Sequence, residues 1–434
     1  DYNAAMRNFV IRNLLLMLAA GTSFAGETAI HNVSGYTSTS SGLQEFTVLI
    51  FSDAGRVVAT GDASLLKAHP DAIRIDGNGR TLLPGLTDGH AHLYKYGFLL
   101  RSLSLVGTPS LTESLLKIDA YAGENPHARW IQGRGWNQVL WPIKEFPTAA
   151  DIDKVVSDRP VVLDRVDGHA VWANSKAMEI AGITDDTPDP VGGRIVRDRN
   201  GKATGIFIDK AKNLLKTHIP TPDRDEIRRV YRAAFAGLAA YGMTGVHDAG
   251  VNISEAEVLI SMADDGELGL RVYAMLAGAS ENLDRMEKPL RGYARDMLNI
   301  SAVKLYADGA LGSRGAAMLR PYSDDPENRG LPFYTADELT GLAHKANYMG
   351  FQVGIHAIGD LGNRMALDAF EAIQGKKPSA LRNRIEHAQI IALEDIPRFA
   401  ELGVIAAVQA THATSDMNMA EDRIGPQRIK GGYA

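Results

Sequence analysis

From residue 225 onward, short apolar strands alternate with amphipathic helical stretches. Few folds accommodate that alternation, because strands separated by helical crossovers lie parallel in one sheet. Ile227, Val230, Tyr231, Ala234, Phe235 and Leu238 recur at the spacing of one helical face, and Gly242 ends that helix. Ser254 with Glu257, and Thr335 with Glu338, read as capping boxes for two more helices, the second closed by Gly350. Strands are expected at 244–247, 270–276, 300–306, 351–357, 384–387 and 404–409, and residues 86–92 supply an earlier one, which makes seven. A (β/α)8 barrel needs eight. Either the sheet is open and doubly wound, or an eighth strand is expected beyond Ala434. The second reading is preferred because the metal site independently asks for that strand.

Two regions depart from the alternation. Residues 45–83 read as short strands with turns at Asp53-Ala54-Gly55 and Asp76-Gly77-Asn78-Gly79, so 26–83 is taken as the N-terminal part of a small β-sandwich. The barrel is assigned to 84–434. Within it, 93–222 is too long for a simple crossover. That stretch holds hairpin strands at 194–197 and 203–208 and all four tryptophans, Trp130, Trp136, Trp141 and Trp172. Residues from about 105 to 222 therefore read as an inserted subdomain above the barrel mouth, where lids and substrate walls are built.

The N-terminus reads as an export signal. Met6 is the expected start, Arg7 and Arg12 give a positive region, and 14–20 (LLLMLAA) is a short apolar run. Ser23-Phe24-Ala25 fits a cleavage site that leaves Gly26 first. The run is too short to span a bilayer comfortably, so a periplasmic or extracellular protein without a stable membrane anchor is expected. A net charge of -6 argues against nucleic acid as a partner and leaves a small-molecule substrate. The chain has no cysteine, so any metal must be held by nitrogen and oxygen, and the twelve histidines become the residues to examine.

His90 and His92 stand two apart on a strand, where side chains share a face and can grip one cation. Alone, such a pair is more often two structural histidines than a ligand pair. Lys304 lies in an apolar strand between Val303 and Leu305, while His356 and His387 end two later strands. Individually these too have plain structural readings, a lysine reaching for water among them. Together they fall near the C-terminal ends of successive parallel strands, where barrel active sites are built.

Five stretches carry a family resemblance: PGLTDGHAH at 84–92, DGHAVWANSKAM at 167–178, VKLYADGALGSRGA at 303–316, GIHAIGD at 354–360 and IEHAQ at 385–389. They resemble the amidohydrolase superfamily, in its family-3 or YtcJ-like branch. The resemblance implies a TIM-type (β/α)8 barrel beside a small β-sandwich, and hydrolysis by metal-activated water at one or two divalent ions, most often zinc. It implies that His90 and His92 bind the more buried ion, that a CO2-derived carbamate on Lys304 bridges two, and that His356 and His387 bind the second. It also implies a general-base aspartate at the end of strand eight, in a Gly-Ser-Asp type motif that this sequence lacks. Asp416 and Asp422 follow strand seven and do not match it. Glu386, beside His387, is expected to point the other way. No catalytic residue is therefore assigned.

Softer positions have two readings each. His169 and Asn174 line the pocket by resemblance or form a structural turn. Trp136 is an apolar wall or plain core. Arg314 meets an anionic substrate group or is a surface arginine, and His247-Asp248 supports a ligand or simply packs. The expected reaction is hydrolysis of a C–N bond in an amide, formamide or cyclic amide. An ester, lactone or phosphoester on the same site remains open, as does a non-catalytic binding or regulatory relative.

Overall fold

A computed structural model describes residues 26–278 and 280–433, so the export-signal reading of 1–25 lies outside the described residues. The chain divides at Gly85 into two compact units. In the first, β1 (Glu27–Thr39), β2 (Gly42–Ser52) and β3 (Val57–Gly61) form an antiparallel meander. On the free edge of β1, β4 (Ile73–Asp76) and β5 (Thr81–Leu82) pair parallel to it. Alternate residues of β1 and β2 face one side, and Ala29, Val48 and Ile50 bury there with Ala72.

The second unit opens with β6 (Leu86–Ala91). The inserted segment then contributes β7 (Leu103–Ser104), β8 (Ile131–Trp136), β9 (Val161–Arg165), β10 (Ala170–Ala173), β11 (Gly193–Arg197) and β12 (Ala203–Asp209). They form a sheet of their own in the order β11-β12-β10-β9-β8-β7, with β11 and β12 as the expected hairpin. Both faces of this sheet are covered. Trp136, Trp141 and Trp172 fill one side, and Val171, Phe207 and Leu215 the other.

The chain returns in β13 (Met243–Val251), β14 (Arg271–Ala277), β15 (Leu290–Gly292), β16 (Leu298–Tyr306), β17 (Gln352–Ala357), β18 (Arg384–His387) and β19 (Ile405–Ala407). Seven strands run parallel in the order β19-β18-β17-β16-β14-β13-β6, and β15 joins β16 antiparallel. The sheet is barrel-like and nearly closed. Four strands separate β18 from β6 in the sheet, yet Arg384 Nη2 of β18 donates to the Gly89 carbonyl of β6 at 2.8 Å. Among the described residues no eighth parallel strand joins β19 to β6.

The barrel strands read as continuous apolar runs because parallel strands with helical crossovers are buried on both faces. Val272, Leu276, Ile300, Val303, Leu305 and Val353 pack with the crossover helices in one core. The helix Arg224–Ala240 buries Ile227, Val230, Tyr231, Ala234 and Phe235, with Asp223 accepting the Glu226 N–H at 2.8 Å as its cap. One helix start differs from expectation. The box before Ile253–Asp264 is Asn252 with Glu255, each accepting the other's backbone N–H at 3.0 Å. Ser254 and Glu257 have the same spacing but lie inside the helix, because Asn252 already satisfies the first free N–H groups. Thr335 and Glu338 do cap Ala336–Tyr348. No helix among the described residues is long and apolar enough to cross a membrane.

Candidate metal centre

β6, β16, β17 and β18 end at one mouth of the sheet, and their last residues bring His90, His92, Lys304, His356 and His387 together. The ring centroids of His90 and His387 lie 4.7 Å apart, those of His356 and His387 also 4.7 Å, and those of His90 and His92 5.5 Å. Lys304 is 1% exposed, and its Nζ sits 3.9 Å from the centre of the Tyr306 ring.

Burial governs the charge of this cluster. It is the first cause that pushes His92 down to about 4, ahead of the neighbouring Lys95, His90 and Lys304. It likewise pushes His356 to about 4 and His387 to about 2, with Lys304 adding to both. Lys304 itself is pushed down to about 8 by burial, against the pull of Glu386. Neutral imidazoles keep the lone pair that a metal needs.

Two rings are held by their Nδ1 atoms. His387 Nδ1 lies 2.5 Å from Gln409 Oε1, and His90 Nδ1 lies 2.5 Å from Glu386 Oε2. In each the Nε2 is left as the available donor. The second contact corrects an expectation, since Glu386 reaches the same interior as His387. Side chains alternate only along extended backbone, whereas His387 has φ 76° and Ala388 φ 43°, so the chain turns at the strand end.

Gln409 and His412 were missed by sequence reasoning. The ring of His412 is 5.3 Å from that of His387. Their signal was available, because both follow β19 at the same mouth as His356 and His387. Asp308 is buried beside the cluster, accepting backbone N–H groups of Ala317, Ile358 and Gly359 at 2.8, 2.9 and 2.8 Å. It ties the loop after β16 to the one after β17. Asp248 is buried too, accepts the Leu93 N–H at 3.2 Å, and so holds the chain just past His92.

Among the described residues no group of three His, Asp or Glu side chains is arranged to hold a metal ion as it stands. The chemistry of the donor set nevertheless fits one: imidazoles from three strand ends, two of them (His90 and His387) with a fixed ring, beside a buried lysine.

None of the contacts recorded for the four candidate substrate-binding residues is with the cluster. Trp136 is core and not a wall: it is 0% exposed, its Nε1 donates to Leu163 O at 2.8 Å, and its ring meets Trp172 edge-on at 6.2 Å. Asn174, also 0% exposed, joins elements instead of lining a pocket. Its Oδ1 accepts from Val161 N at 2.9 Å and Ala177 N at 3.0 Å, while its Nδ2 donates to Val156 O and Arg159 O. His169 is exposed, with Nδ1 2.8 Å from Asp209 Oδ1. Arg314 gives its Nε and Nη2 to Asp324 at 3.1 and 3.0 Å, so it is committed to a loop pair and not presented to a substrate anion. Arg314→Gln is therefore expected to leave KM within about twofold and to change stability little. A tenfold rise in KM for an anionic substrate would restore its binding role.

The sequence profile described as the amidohydrolase family matches residues 74–434. Over 397 residues the chain is 32% identical to the amidohydrolase-family protein YtcJ of Bacillus subtilis (strain 168), covering 89% of this chain and 74% of that one. It is 30% identical over 368 residues to the N-substituted formamide deformylase of Arthrobacter pascens, covering 81% and 67%. Among solved structures, a metal-dependent hydrolase from Pyrococcus horikoshii OT3 is similar with a TM-score of 0.79 at 28% identity, over 94% of this chain and 79% of that one.

Proposed function

This chain belongs to the amidohydrolase family, and from that premise we propose that it hydrolyses a C–N bond of a small amide, formamide or cyclic amide. In this proposal His90, His92, Lys304, His356 and His387 hold one or two divalent ions, zinc by the family resemblance. The observation that carries it is the gathering of neutral imidazoles around a buried lysine at the C-terminal strand ends. Formamides come first because the Arthrobacter relative is named for them. A complete (β/α)8 barrel, and export to the periplasm or outside the cell, belong to the same proposal.

When bound, the ions polarise the scissile carbonyl and bring the pKa of water toward neutrality. The chain's own residues prepare for this. Glu386 and Gln409 hold the Nδ1 atoms of His90 and His387, so that each Nε2 faces the cluster. With its pKa at about 8, Lys304 keeps roughly a tenth of its amine neutral at pH 7. That neutral amine adds to CO2, loses one proton, and becomes a carbamate whose two oxygens attract a cation where an ammonium repels it. Glu386 is engaged by His90 and Arg384, and Asp308 by three backbone N–H groups, so neither is free to accept the water's proton. The family resemblance gives that role to an aspartate at the end of strand eight.

The test is metal analysis of the full-length protein with a panel of N-substituted formamides, amides, cyclic amides, esters, lactones and phosphoesters. Bound zinc that is lost in His90→Ala, with turnover on the C–N substrates, is the expected result. Metal-free protein after zinc loading, or turnover confined to the oxygen esters, would overturn it.

A further inference from the structure

We infer that Glu386 is the positioning residue that fixes His90 for metal binding, and that Arg384 holds Glu386 in place. The inference rests on the proposed metal site and goes beyond its ligands. Glu386 is 0% exposed, a place where a carboxylate is costly unless every lone pair is used. Arg384, itself only 5% exposed, meets it in a two-point contact: Nε on Oε1, and Nη2 on Oε2 at 3.0 Å. That fork alone would satisfy the charge. The further contact, Oε2 to His90 Nδ1 at 2.5 Å, crosses the barrel interior from β18 to β6.

Two more observations make this a built arrangement. The Arg384 Nη2 that touches Glu386 also donates to the carbonyl of Gly89 at 2.8 Å, next to His90 in the chain. One guanidinium therefore fixes both the backbone before His90 and the carboxylate on its ring. The third nitrogen, Nη1, lies 2.9 Å from His247 Nδ1 on β13, which stops the guanidinium from turning. Space for the carboxylate comes from β17, where residue 354 is glycine: a Cβ there would stand 3.0 Å from Glu386 Oε1.

A carboxylate accepting the Nδ1 proton fixes the tautomer, aims the Nε2 lone pair away from itself, and makes that nitrogen a stronger donor. A carboxylate that serves only the fold would leave metal affinity unchanged when replaced.

Calorimetric zinc titration of the full-length protein, Glu386→Gln and the double variant Arg384→Met/Glu386→Leu tests this, with metal-free melting measured alongside. The double variant removes both charges, so it keeps the test open if Glu386→Gln folds poorly. The expected result is a parent that binds zinc and variants that bind it about 10- to 100-fold more weakly. An altered ligand-field spectrum with Co2+ in place of zinc is expected in the same variants. Variants with the parent's zinc affinity, whatever their melting temperature, would overturn the inference and leave the metal site standing. A parent that binds no divalent ion would overturn both.

Discussion

Lys304→Met is expected to abolish hydrolysis while making the metal-free protein more resistant to acid. The loss of turnover should be roughly 10³-fold or more, since loss of a residue that only supports a ligand already costs about 10–100-fold and Lys304 is itself a proposed ligand. The gain has a separate origin. The Lys304 charge is one cause of the depressed pKa of His92, His356 and His387. A histidine whose pKa in the fold lies below its unfolded value of about 6.5 takes protons later than the unfolded chain does. Its stability contribution is complete above that value and is lost as pH falls toward the folded value, about 4 for His92 and His356. Methionine keeps the apolar stem against Tyr306 and removes the charge, so these values rise and the losing window narrows. Burial raises Asp248 to about 7 and Asp308 to about 6, which acts in the opposite sense, but in both proteins. The drop in melting temperature between about pH 7.5 and about pH 5, in chelator, should thus be smaller in Lys304→Met than in the parent. Equal drops, or turnover within tenfold of the parent, would contradict the placement of Lys304 at the centre of the site.

What could be read from the residues follows from what periodicity encodes. The strand Arg384–His387 falls, to the residue, where the strand–helix alternation places it, although Ile385 is its one apolar side chain. β13 extends to Val251, four residues past the expected 247, through Asp-Ala-Gly-Val, a stretch with little apolar signal. Hydrogen bonding to both neighbours sustains it there, and that is information held by β6 and β14. The same divide runs through the site. His90 and His92 follow from a period of two, and Lys304 from being a charge in an apolar strand. Glu386 was set aside by the same rule, since nothing in Glu-His-Ala announces the positive φ of His387 and Ala388. Asn174 and Trp136 show a second limit. Polarity and ring size do not reveal that four backbone groups converge on one amide, or that a second indole waits edge-on.

Trp136→Ala separates the two readings of that tryptophan by the size of its effect on folding. In the core reading it costs about 3–5 kcal/mol, the usual range for truncating a buried aromatic. The ring is packed between Phe146 and Trp172, each 6.2 Å away in an edge-to-face arrangement, and its Nε1 proton satisfies the Leu163 carbonyl. Truncation therefore leaves a cavity and removes that hydrogen bond together, beside β8 and β9 of the inserted sheet. Zinc affinity should be unchanged in the folded protein, because none of the contacts of Trp136 is with His90, His92, Lys304, His356 or His387. Urea unfolding read by the fluorescence of the remaining tryptophans measures the first quantity, and zinc titration the second. A wall residue would behave in the opposite way, with a changed substrate preference and an unfolding cost below about 1 kcal/mol. That outcome would return Trp136 to the pocket, and would require the sheet ordered β11-β12-β10-β9-β8-β7 to open its tryptophan face to substrate.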